Sequence, residues 1–550
     1  MSLHTRIIPA CVAILLAQSP AVRGQEALNV KVDAIFSEYA RADSPGCALG
    51  VFRDGRIVYA RGYGMANLEL GVPIAPSTIF DLGSTSKQFT AACIVLLAQE
   101  GKLSLDDDIR KYLPELPDYG KAITIRHLIH HTSGIRDYLA LMSLAGVDFD
   151  GVTTEEDALA LIARQKELNF PPGEEHLYSN SGYFLLGVIV KRASGKSLAQ
   201  FAAERIFEPL GMKHTHFHDD HTRIVPGRAT GYARRKEGGF RIAMSGFEQT
   251  GDGAVMTTVE DLLQWDRNFY EPKVGGTTLI RQLLAPGALN SGAKLNYAFG
   301  LTLGEHRGLK TVSHGGSWAG YRAELLRFPE QNLSVACLCN LAAANPGRLA
   351  RRVAEVYLGD RMAAPEKAEA RGKEAAVKIA ETELARRTGL YRNPKSGELR
   401  RITLAAGKLS VDAFGPAQEL IPLSPTRFRL ASQPVELAFE GTGRLSVLRA
   451  GAGPEIFEMV PAASPDAAEL RAYAGVYYSP ELDAKCVLAV EDGKLQVRGR
   501  NLPRDPLQPT YRDGFALPGM YLEFTRDPAG AVDGFAVQAG RIRNVRFLRQ

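Results

Sequence analysis

An internal repeat in the C-terminal third sets the strongest limit on how this chain can fold. The segment ELARRTGLYRNP begins at Glu383, and the similar segment ELRAYAGVYYSP begins at Glu469. Each copy continues with short alternating apolar segments separated by Gly, Pro and Asp turns, which is the pattern of β-hairpins. Two copies of about 80 residues therefore predict two small antiparallel β-barrels, at 382–463 and 467–550.

The segment before the repeats, residues 25–360, mixes strand and helix patterns. GCALGVFRDGRIVYARGYG, from Gly46, is typical of a hairpin, and HGGSWAGYRAELLRFPEQNLSVACLCNLA, from His314, gives further strands. Helical patterns lie between them. The arrangement predicts an α+β domain, in which a sheet built from both ends of the segment encloses an inserted helical region. Residues 361–381 are rich in Ala, Glu, Lys and Arg, which favours a helical linker or a terminal helix of this domain.

The N-terminus is typical of an export signal. Arg6 precedes the apolar run IIPACVAILLA, and Val22 and Gly24 occupy positions −3 and −1 of a cleavage site before Gln25. Residues 1–24 are therefore predicted to be a signal peptide, with an uncleaved anchor as the alternative. The apolar run is too short to span a bilayer. We expect a periplasmic or secreted protein without a membrane span in its mature chain.

Charge and cysteine content exclude further classes. The net charge is +5, or +3 once Arg6 and Arg23 leave with the signal, so nothing favours nucleic acid or an anionic membrane as a partner. Six cysteines become five when Cys11 is removed, and this odd, sparse set does not suggest a disulfide framework. Cys337 and Cys339 alternate along a predicted buried strand and are expected to be small core residues.

A nucleophile is suggested by the motif Ser84-Thr85-Ser86-Lys87. The pattern from Ser84 to Glu100 is helical, and Gly101 is a natural stop. Lys87 would then lie one turn from Ser84, where it could take the hydroxyl proton, and the helix N-terminus would favour a developing oxyanion. The motif alone is weak evidence, because an ordinary N-cap serine explains Ser84 better when the motif is taken by itself, and a second S-x-x-K begins at Ser291.

Two further motifs strengthen this interpretation. Tyr178-Ser179-Asn180 follows the loop segment PPGEEH, so Tyr178 could share a proton with Lys87 while Asn180 orients a carbonyl or amide. His314-Gly315-Gly316 opens a predicted strand, where glycines would let a substrate backbone lie close.

S-x-x-K, Y-x-N and H-x-G, in this order and spacing, resemble the serine β-lactamase and penicillin-binding family of class C type. ITIRHLIHHTSGI, YSNSGYFLLG, GDGAVMTTVEDLLQW and HGGSWAGYRAELLRFPE also look like landmarks of this family. The resemblance covers about residues 30–358. It implies an antiparallel sheet flanked by helices, an all-helical region, and a site between them.

The resemblance also implies roles for individual residues. Ser84 would be the acylated nucleophile, Lys87 and Tyr178 would shuttle protons, and Asn180 would contact the substrate. The backbone N–H groups of Ser84 and Ser317 would form the oxyanion hole. No cofactor and no metal are implied.

The chain departs from the usual K-T-G element of this family, because His314, Gly315 and Gly316 stand in its place. Losing the fixed positive charge and the threonine hydroxyl argues against efficient β-lactam hydrolysis. H-x-G resembles family peptidases, notably D-aminopeptidases, which also carry two C-terminal barrels. Family esterases also differ at this element, so ester hydrolysis stays open. His314 would be a catalytic residue, and Gly315, Gly316 and Ser317 would bind substrate.

The run HTHFHDDH suggests a different chemistry. His216-Phe217-His218-Asp219-Asp220-His221 fits the H-x-H-x-D-H spacing of zinc hydrolases, and period-two spacing would put His214, His216 and His218 on one face. The preceding IFEPLGMKHT, however, is typical of a helix end and turn rather than a buried strand. We therefore interpret the match as chance.

These patterns together predict an exported serine hydrolase that cleaves a small amide or peptide through an acyl-enzyme, as a D-aminopeptidase does. The alternatives are a carboxylesterase or weak β-lactamase of the same family, a non-catalytic penicillin or cell-wall ligand-binding protein, and a zinc hydrolase. Expected partners are a small amide, peptide or ester, or cell-wall peptides, and a homodimer is a candidate assembly.

Overall fold

The computed structural model describes residues 20–364, 377–431, 433, 435–449, 453–499 and 505–550. Most of the predicted signal peptide and of the predicted linker lies outside these residues. Within them, every helix is too short or too polar to cross a membrane.

The N-terminal domain is built around a six-stranded antiparallel sheet. The strands of the whole domain, including those of smaller sheets, are β1 Cys47–Arg53, β2 Arg56–Tyr63, β3 Met65–Asn67, β4 Val72–Pro73, β5 Phe80–Asp81, β6 Val152–Thr153, β7 His216–Phe217, β8 Tyr232–Arg234, β9 Phe240–Ile242, β10 Gly246–Phe247, β11 Val255–Thr257, β12 Thr302–His306, β13 Leu309–Trp318, β14 Tyr321–Phe328 and β15 Leu333–Cys339. The sheet order is β12-β13-β14-β15-β1-β2, so the last strand of the domain pairs with the first. The prediction of a sheet built from both ends is confirmed.

Helices cover both faces of this sheet. They are α1 Pro20–Ile35, α2 Lys87–Gln99, α3 Ile125–Ile129, α4 Tyr138–Leu144, α5 Glu155–Ala163, α6 Asn180–Ser194, α7 Leu198–Ala202, α8 Glu208–Leu210, α9 Val259–Arg267, α10 Gly276–Leu283 and α11 Pro346–Leu358. Alternate residues of β1 face opposite cores: Leu49 packs with α1 and α11, and Ala48 joins the core that contains α2 and α9. The inserted helical region packs against α2, and its helix α6 makes this contact.

A disulfide joins two neighbouring interior strands of the sheet, β1 and β15. Cys47 of β1 and Cys339 of β15 are direct cross-strand partners, and their sulfurs are bonded at 2.10 Å. Cys337 lies on the same face, with its sulfur 3.8 Å from that of Cys339. The expectation of an unpaired core thiol is therefore wrong for Cys339, because only the fold reveals that β1 lies beside β15.

The two repeats form two eight-stranded units. The first contains α12 Glu381–Ala385, β16 Gly389–Arg392, β17 Leu399–Ala405, β18 Lys408–Asp412, β19 Gln418–Pro422, β20 Arg427–Leu430, β21 Val435–Glu440, β22 Arg444–Arg449 and β23 Glu455–Val460. The second contains α13 Ala467–Arg471, β24 Gly475–Ser479, β25 Ala484–Glu491, β26 Lys494–Arg498, β27 Gln508–Pro509, β28 Gly514–Leu517, β29 Met520–Arg526, β30 Val532–Ala539 and β31 Ile542–Arg549. β16–β23 close into a barrel, and a Gln496–Pro506 bridge links the two ends of the second sheet. The prediction of two small antiparallel barrels is confirmed.

The two repeats share an internal hydrogen bond made by a buried tyrosine. Tyr391 donates its hydroxyl proton to the carbonyl of Arg387 at 3.0 Å, and Tyr477 donates to the carbonyl of Tyr473 at 2.9 Å. Both tyrosines are buried, so each hydroxyl needs an internal partner, and the residue four positions earlier supplies it. The aligned tyrosines thus do the same structural work in each barrel.

Candidate active site

The predicted nucleophile sits on a short turn that leads into α2. Residues Gly83–Ser86 form one 3₁₀ turn, and α2 continues from Lys87. Gly83 has φ +50° and donates its N–H to the buried carboxylate of Asp81 at 2.7 Å. Thr85 donates its hydroxyl proton to the His314 carbonyl at 3.0 Å, which ties the turn to β13. Ser84 is thereby held at a fixed position beside the sheet.

Lys87 is completely buried beneath Ser84. Its Nζ lies 3.0 Å from Ser84 Oγ, 3.0 Å from Asn180 Oδ1 and 2.5 Å from the Asp252 carbonyl oxygen. These three acceptors match the three donors of an ammonium group. The structure therefore brings Ser84, Lys87 and Asn180 together, although 93 residues separate Lys87 from Asn180 in the chain.

Asn180 is positioned by the loop that precedes α4. It is the first residue of α6, and its N–H donates to Asp137 Oδ2 at 2.7 Å. Asp137 also accepts from the N–H of Ala140 at 3.1 Å and so caps α4. One buried carboxylate therefore fixes two helix starts and, through Asn180, the environment of Lys87.

Tyr178 has an unused hydroxyl. Its ring lies with the centroid 5.0 Å from Lys87 Nζ, and Arg541 covers the ring at 4.6 Å. Its Oη is buried yet has no hydrogen-bond partner within the described parts of the chain. Because buried hydroxyls are normally hydrogen-bonded, an unpartnered hydroxyl beside Lys87 is unusual and leaves its oxygen able to take a new partner.

His314 is held neutral by its surroundings. Nδ1 lies 2.7 Å from the Gly315 carbonyl, to which it must donate, and Nε2 lies 3.0 Å from the Tyr297 hydroxyl. Burial, with the nearby Lys87 charge, lowers the pKa of His314 to about 4. The residue that replaces the family lysine therefore carries no charge at neutral pH, and both of its nitrogens are engaged.

The edge of β13 passes close to the nucleophile turn. A Cβ on Gly316 would lie 1.7 Å from the Leu82 carbonyl oxygen, and a Cβ on Gly83 would lie 2.7 Å from Ser317 N. β12 pairs with β13 only as far as Ser313, so residues after it lie on an edge facing the cleft. Gly316 is required here by the close approach of two backbones, whereas a Cβ on Gly315 would meet the Glu324 carboxylate at 2.9 Å.

The resulting cleft has a volume of about 780 Å³, within the usual range for small-molecule sites. Six of the eight predicted site residues line it, and Lys87 and His314 lie beneath its surface. The six are Ser84, Tyr178, Asn180, Gly315, Gly316 and Ser317.

Several residues of the site were not predicted from the sequence. His131 has φ +56°, and its ring lies 4.2 Å from that of Tyr178. The Tyr297 hydroxyl is hydrogen-bonded to His314 Nε2, and the Asp252 carbonyl oxygen accepts a hydrogen bond from Lys87. His131 lies in HHTSG and Asp252 lies in GDG, and both segments were recognised as family landmarks. No local pattern indicated Tyr297 or Arg541.

The histidine run does not assemble the H-x-H-x-D-H ligand set. Among the described residues, two groups of three donors converge within 4.8 Å: the three cysteines of the sheet, and Asp220, His221 and Glu248. His216 and His218 belong to neither group, and their rings lie 5.7 Å apart. His214 is exposed and lies 3.8 Å from Asp261. The motif begins within β7, a two-residue strand that follows the end of α8, which agrees with the helix end and turn predicted before it.

Comparison with known proteins agrees with this geometry. The model of the family described as Beta-lactamase matches residues 32–358, which is more than half of the chain. The chain belongs to the beta-lactamase family. The predicted family and the predicted serine hydrolase class are thereby confirmed.

Three known proteins show how far the similarity extends along the chain. A D-aminopeptidase of Cereibacter sphaeroides (strain ATCC 17029 / ATH 2.4.9) is 29% identical over 545 residues, covering 95% of this chain and 99% of the relative. Penicillin-binding protein 4* of Bacillus subtilis (strain 168) is 30% identical over 407 residues, covering 70% and 88%. The solved octameric penicillin-binding protein homologue from Pyrococcus abyssi matches with a TM-score of 0.56 and 26% identity, over 79% of this chain and 99% of that one.

Proposed function

We propose that this protein is an exported D-aminopeptidase that hydrolyses small amides or peptides through an acyl-enzyme on Ser84. The observation that carries the proposal is the buried Lys87 ammonium, which bonds Ser84 Oγ and Asn180 Oδ1 at 3.0 Å each directly beneath the cleft. The similarity to proteins named D-aminopeptidase along nearly the whole chain supports the amide substrate class.

Acylation begins when Ser84 Oγ attacks the carbonyl carbon of the scissile amide. The pair formed by Lys87 and Tyr178 enters this step with one proton fewer than an ammonium and a phenol carry together, so it can take the Ser84 hydroxyl proton. The accepting atom is the Tyr178 oxygen, which has no other partner within the described residues. The backbone N–H groups of Ser84 and Ser317 stabilise the oxyanion. The pair returns the proton to the leaving nitrogen, the C–N bond breaks, and the acyl group stays on Ser84 as an ester.

Deacylation uses the same groups in reverse. A water gives its proton to the Lys87–Tyr178 pair while its oxygen attacks the ester carbonyl. The tetrahedral intermediate collapses, Ser84 regains a proton, and the acid product leaves. His314 takes no proton in this scheme, because its nitrogens are bonded to Gly315 and Tyr297; we assign it to holding β13 in place.

Export is supported by the Cys47–Cys339 disulfide. Such bonds persist in oxidising compartments such as the periplasm and are rare in the cytosol. The predicted signal peptide points the same way. Fractionation of the producing cell, with alkylation of free thiols before and after reduction, would test both the compartment and the oxidation state of the pair.

The decisive experiment compares wild type, Ser84→Ala and Ser291→Ala. Ser291 begins the second S-x-x-K and is exposed, so it is the matched control. The substrates are D-alanine p-nitroanilide, its L-enantiomer, a p-nitrophenyl ester and a chromogenic cephalosporin. We expect turnover of the D-amide by wild type and Ser291→Ala alone, with an acyl adduct on Ser84 visible by mass spectrometry after rapid quenching.

Other results would redirect the assignment. Ester turnover without amide cleavage would make the protein an esterase. Full activity in Ser84→Ala would overturn the nucleophile assignment. Failure of an active-site serine probe to label Ser84, without turnover of any substrate, would support a ligand-binding protein.

A further inference from the structure

The second barrel reaches into the cleft with one hairpin tip. β30 and β31 are joined by Gly540 and Arg541, and Arg541 lines the cleft that also contains Ser84 and Tyr178. The backbone of the tip is clamped by the side chain of Asn169. Asn169 Nδ2 donates to the Arg541 carbonyl at 2.9 Å, and its Oδ1 accepts from the Arg543 N–H at 2.7 Å. The position of Arg541 is therefore fixed by its backbone, which leaves its side chain available.

The Arg541 guanidinium has open donors. It stacks 4.6 Å from the centroid of the Tyr178 ring, and its side chain is 45% exposed. Its nearest carboxylate is Asp137, at 3.6 Å from Nη1, but both oxygens of Asp137 already accept backbone N–H groups, those of Ala140 and Asn180. Within the described residues the guanidinium donates no hydrogen bond, so its planar fork can receive a ligand carboxylate in two-point fashion.

The remaining charges of the cleft favour an anion at this position. Arg228 and Arg322 also line the cleft. The three carboxyl groups of its lining are buried, and burial raises the pKa of each: to about 6 for Asp81 and Asp252, and to about 7 for Glu324. Asp81 is further occupied by the Gly83 N–H, and Asp252 by the Tyr138 hydroxyl. The guanidinium cations are thus the more accessible charges, and Arg541 is the one next to Tyr178.

We propose that Arg541 is a specificity-determining residue that binds the free carboxylate of the leaving amino acid. The inference rests on the proposed function, in which Tyr178 helps to protonate the leaving nitrogen; a cation stacked on Tyr178 then lies beside the leaving group. The preferred substrate is a D-aminoacyl dipeptide, because only there does the terminal carboxylate follow the scissile bond by a single residue. No bond is made or broken by Arg541.

The test compares two substrates that differ only in that carboxylate, D-alanyl-glycine and D-alanyl-glycinamide. Wild type should show kcat/KM about 10- to 100-fold higher for the free acid, which is the effect of one charge-assisted pair. Arg541→Gln should reduce this ratio to near one, and Arg541→Lys should restore part of it. Arg498→Gln is the matched control, since Arg498 is an exposed arginine of the same barrel paired with Glu491 and lies outside the cleft lining. It should keep the wild-type ratio.

Three outcomes would overturn the proposal. A ratio near one in wild type means that no carboxylate is recognised. A ratio that survives Arg541→Gln assigns recognition to another group. A preference for D-glutamate p-nitroanilide over its D-glutamine counterpart that depends on Arg541, without discrimination between the dipeptides, places the anion on the acyl residue instead.

The same design separates this inference from the proposed function. If wild type cleaves neither dipeptide, the aminopeptidase proposal fails. Calorimetric binding of the two dipeptides to Ser84→Ala, with and without Arg541→Gln, then still reports the carboxylate preference. Equal binding of the two in that background would remove the inference independently of any turnover.

Discussion

The Arg136 guanidinium lies 2.7 Å from the Glu481 carboxylate, across the boundary between the N-terminal domain and the second barrel. Both side chains are almost completely buried, at 0% and 4% exposure. Arg136 also donates to the backbone carbonyls of Arg543 and Asn544 at 2.9 and 2.8 Å. Because the next residue, Asp137, fixes Asn180, the attachment of the barrel and the geometry of the site share one short loop.

Glu481→Ala should therefore weaken both the domain contact and the activity. It leaves a buried arginine without its counter-ion, which typically costs about 3–5 kcal/mol. Urea unfolding and limited proteolysis of the 460–470 region should show this loss. Arg546→Ala breaks a more exposed pair with Glu167 at the same boundary and should cost under about 1 kcal/mol. Equal losses of stability in Glu481→Ala and Arg546→Ala would show that burial of the Arg136–Glu481 pair does not make it the stronger contact.

Tyr178→Phe should lower kcat on D-alanine p-nitroanilide by about 10²- to 10⁴-fold, the usual contribution of a positioned acid or base. The variant removes one oxygen that has no partner within the described chain, so the folded state should lose little stability. Tyr112→Phe, in a surface pair with Asp107, is the control and should leave kcat unchanged. A Tyr178→Phe enzyme with wild-type kcat would exclude Tyr178 from proton transfer.

Gly316→Ala should abolish most activity by steric means alone. The added Cβ would lie 1.7 Å from the Leu82 carbonyl oxygen, so β13 and the Ser84 turn must move apart. A displacement of about 1 Å in such a site can cost roughly 100-fold in rate. Gly304→Ala, in the neighbouring strand β12, meets only the Thr311 hydroxyl at 3.2 Å and should be mild. Steady-state kinetics with thermal unfolding would distinguish misplacement from unfolding.

His314→Gln should flatten the acid dependence of stability. Burial holds the pKa of His314 at about 4 in the folded state, below its ordinary 6.5. A lowered folded pKa contributes stability that is present above pH 6.5 and is lost as the pH falls toward 4, because the unfolded chain takes up the proton first. The full difference is on the order of 3 kcal/mol.

Urea unfolding of wild type and His314→Gln at pH 7.5 and 5.0 measures this. The buried carboxyls Asp81 and Asp252 act with opposite sign, since burial raises their pKa values to about 6, so the comparison must be made between variants and not from wild type alone. Identical pH dependence in the two proteins would show that His314 is not a buried neutral base.

Reductant should lower the melting temperature of wild type but not of Cys47→Ala. The Cys47–Cys339 bond closes a loop of 292 residues, and loop closure of this length is worth up to roughly 5 kcal/mol. Cys337→Ala keeps the disulfide and should keep the sensitivity to reductant. If Cys337→Ala also abolished that sensitivity, Cys337 would be the bonded partner.

The sequence predicted those site residues that lie close to one another in the chain. Ser84 and Lys87 share one helix start, and Tyr178 and Asn180 share another, so short motifs sufficed to place each pair. The repeat likewise predicted two barrels, because each copy contains its own hairpins and core.

Residues whose partners come from distant segments were not predictable in the same way. Cys339 meets Cys47 only because the last strand of the domain pairs with the first, and periodicity does not choose strand neighbours. Arg541 lies at a hairpin tip whose target depends on how two domains dock. Tyr297 lies in a segment without a repeating pattern, and its role depends on the burial of His314.

The pairing of β1 with β15 also has a kinetic consequence. One edge of β1 stays unpaired until almost the entire N-terminal domain has been synthesised, because its partner β15 is the last strand of that domain. Such non-local pairing makes folding slow and leaves an aggregation-prone strand exposed in the meantime. Under the export proposed above, the same delay would keep the sheet from closing before both of its ends have crossed the membrane.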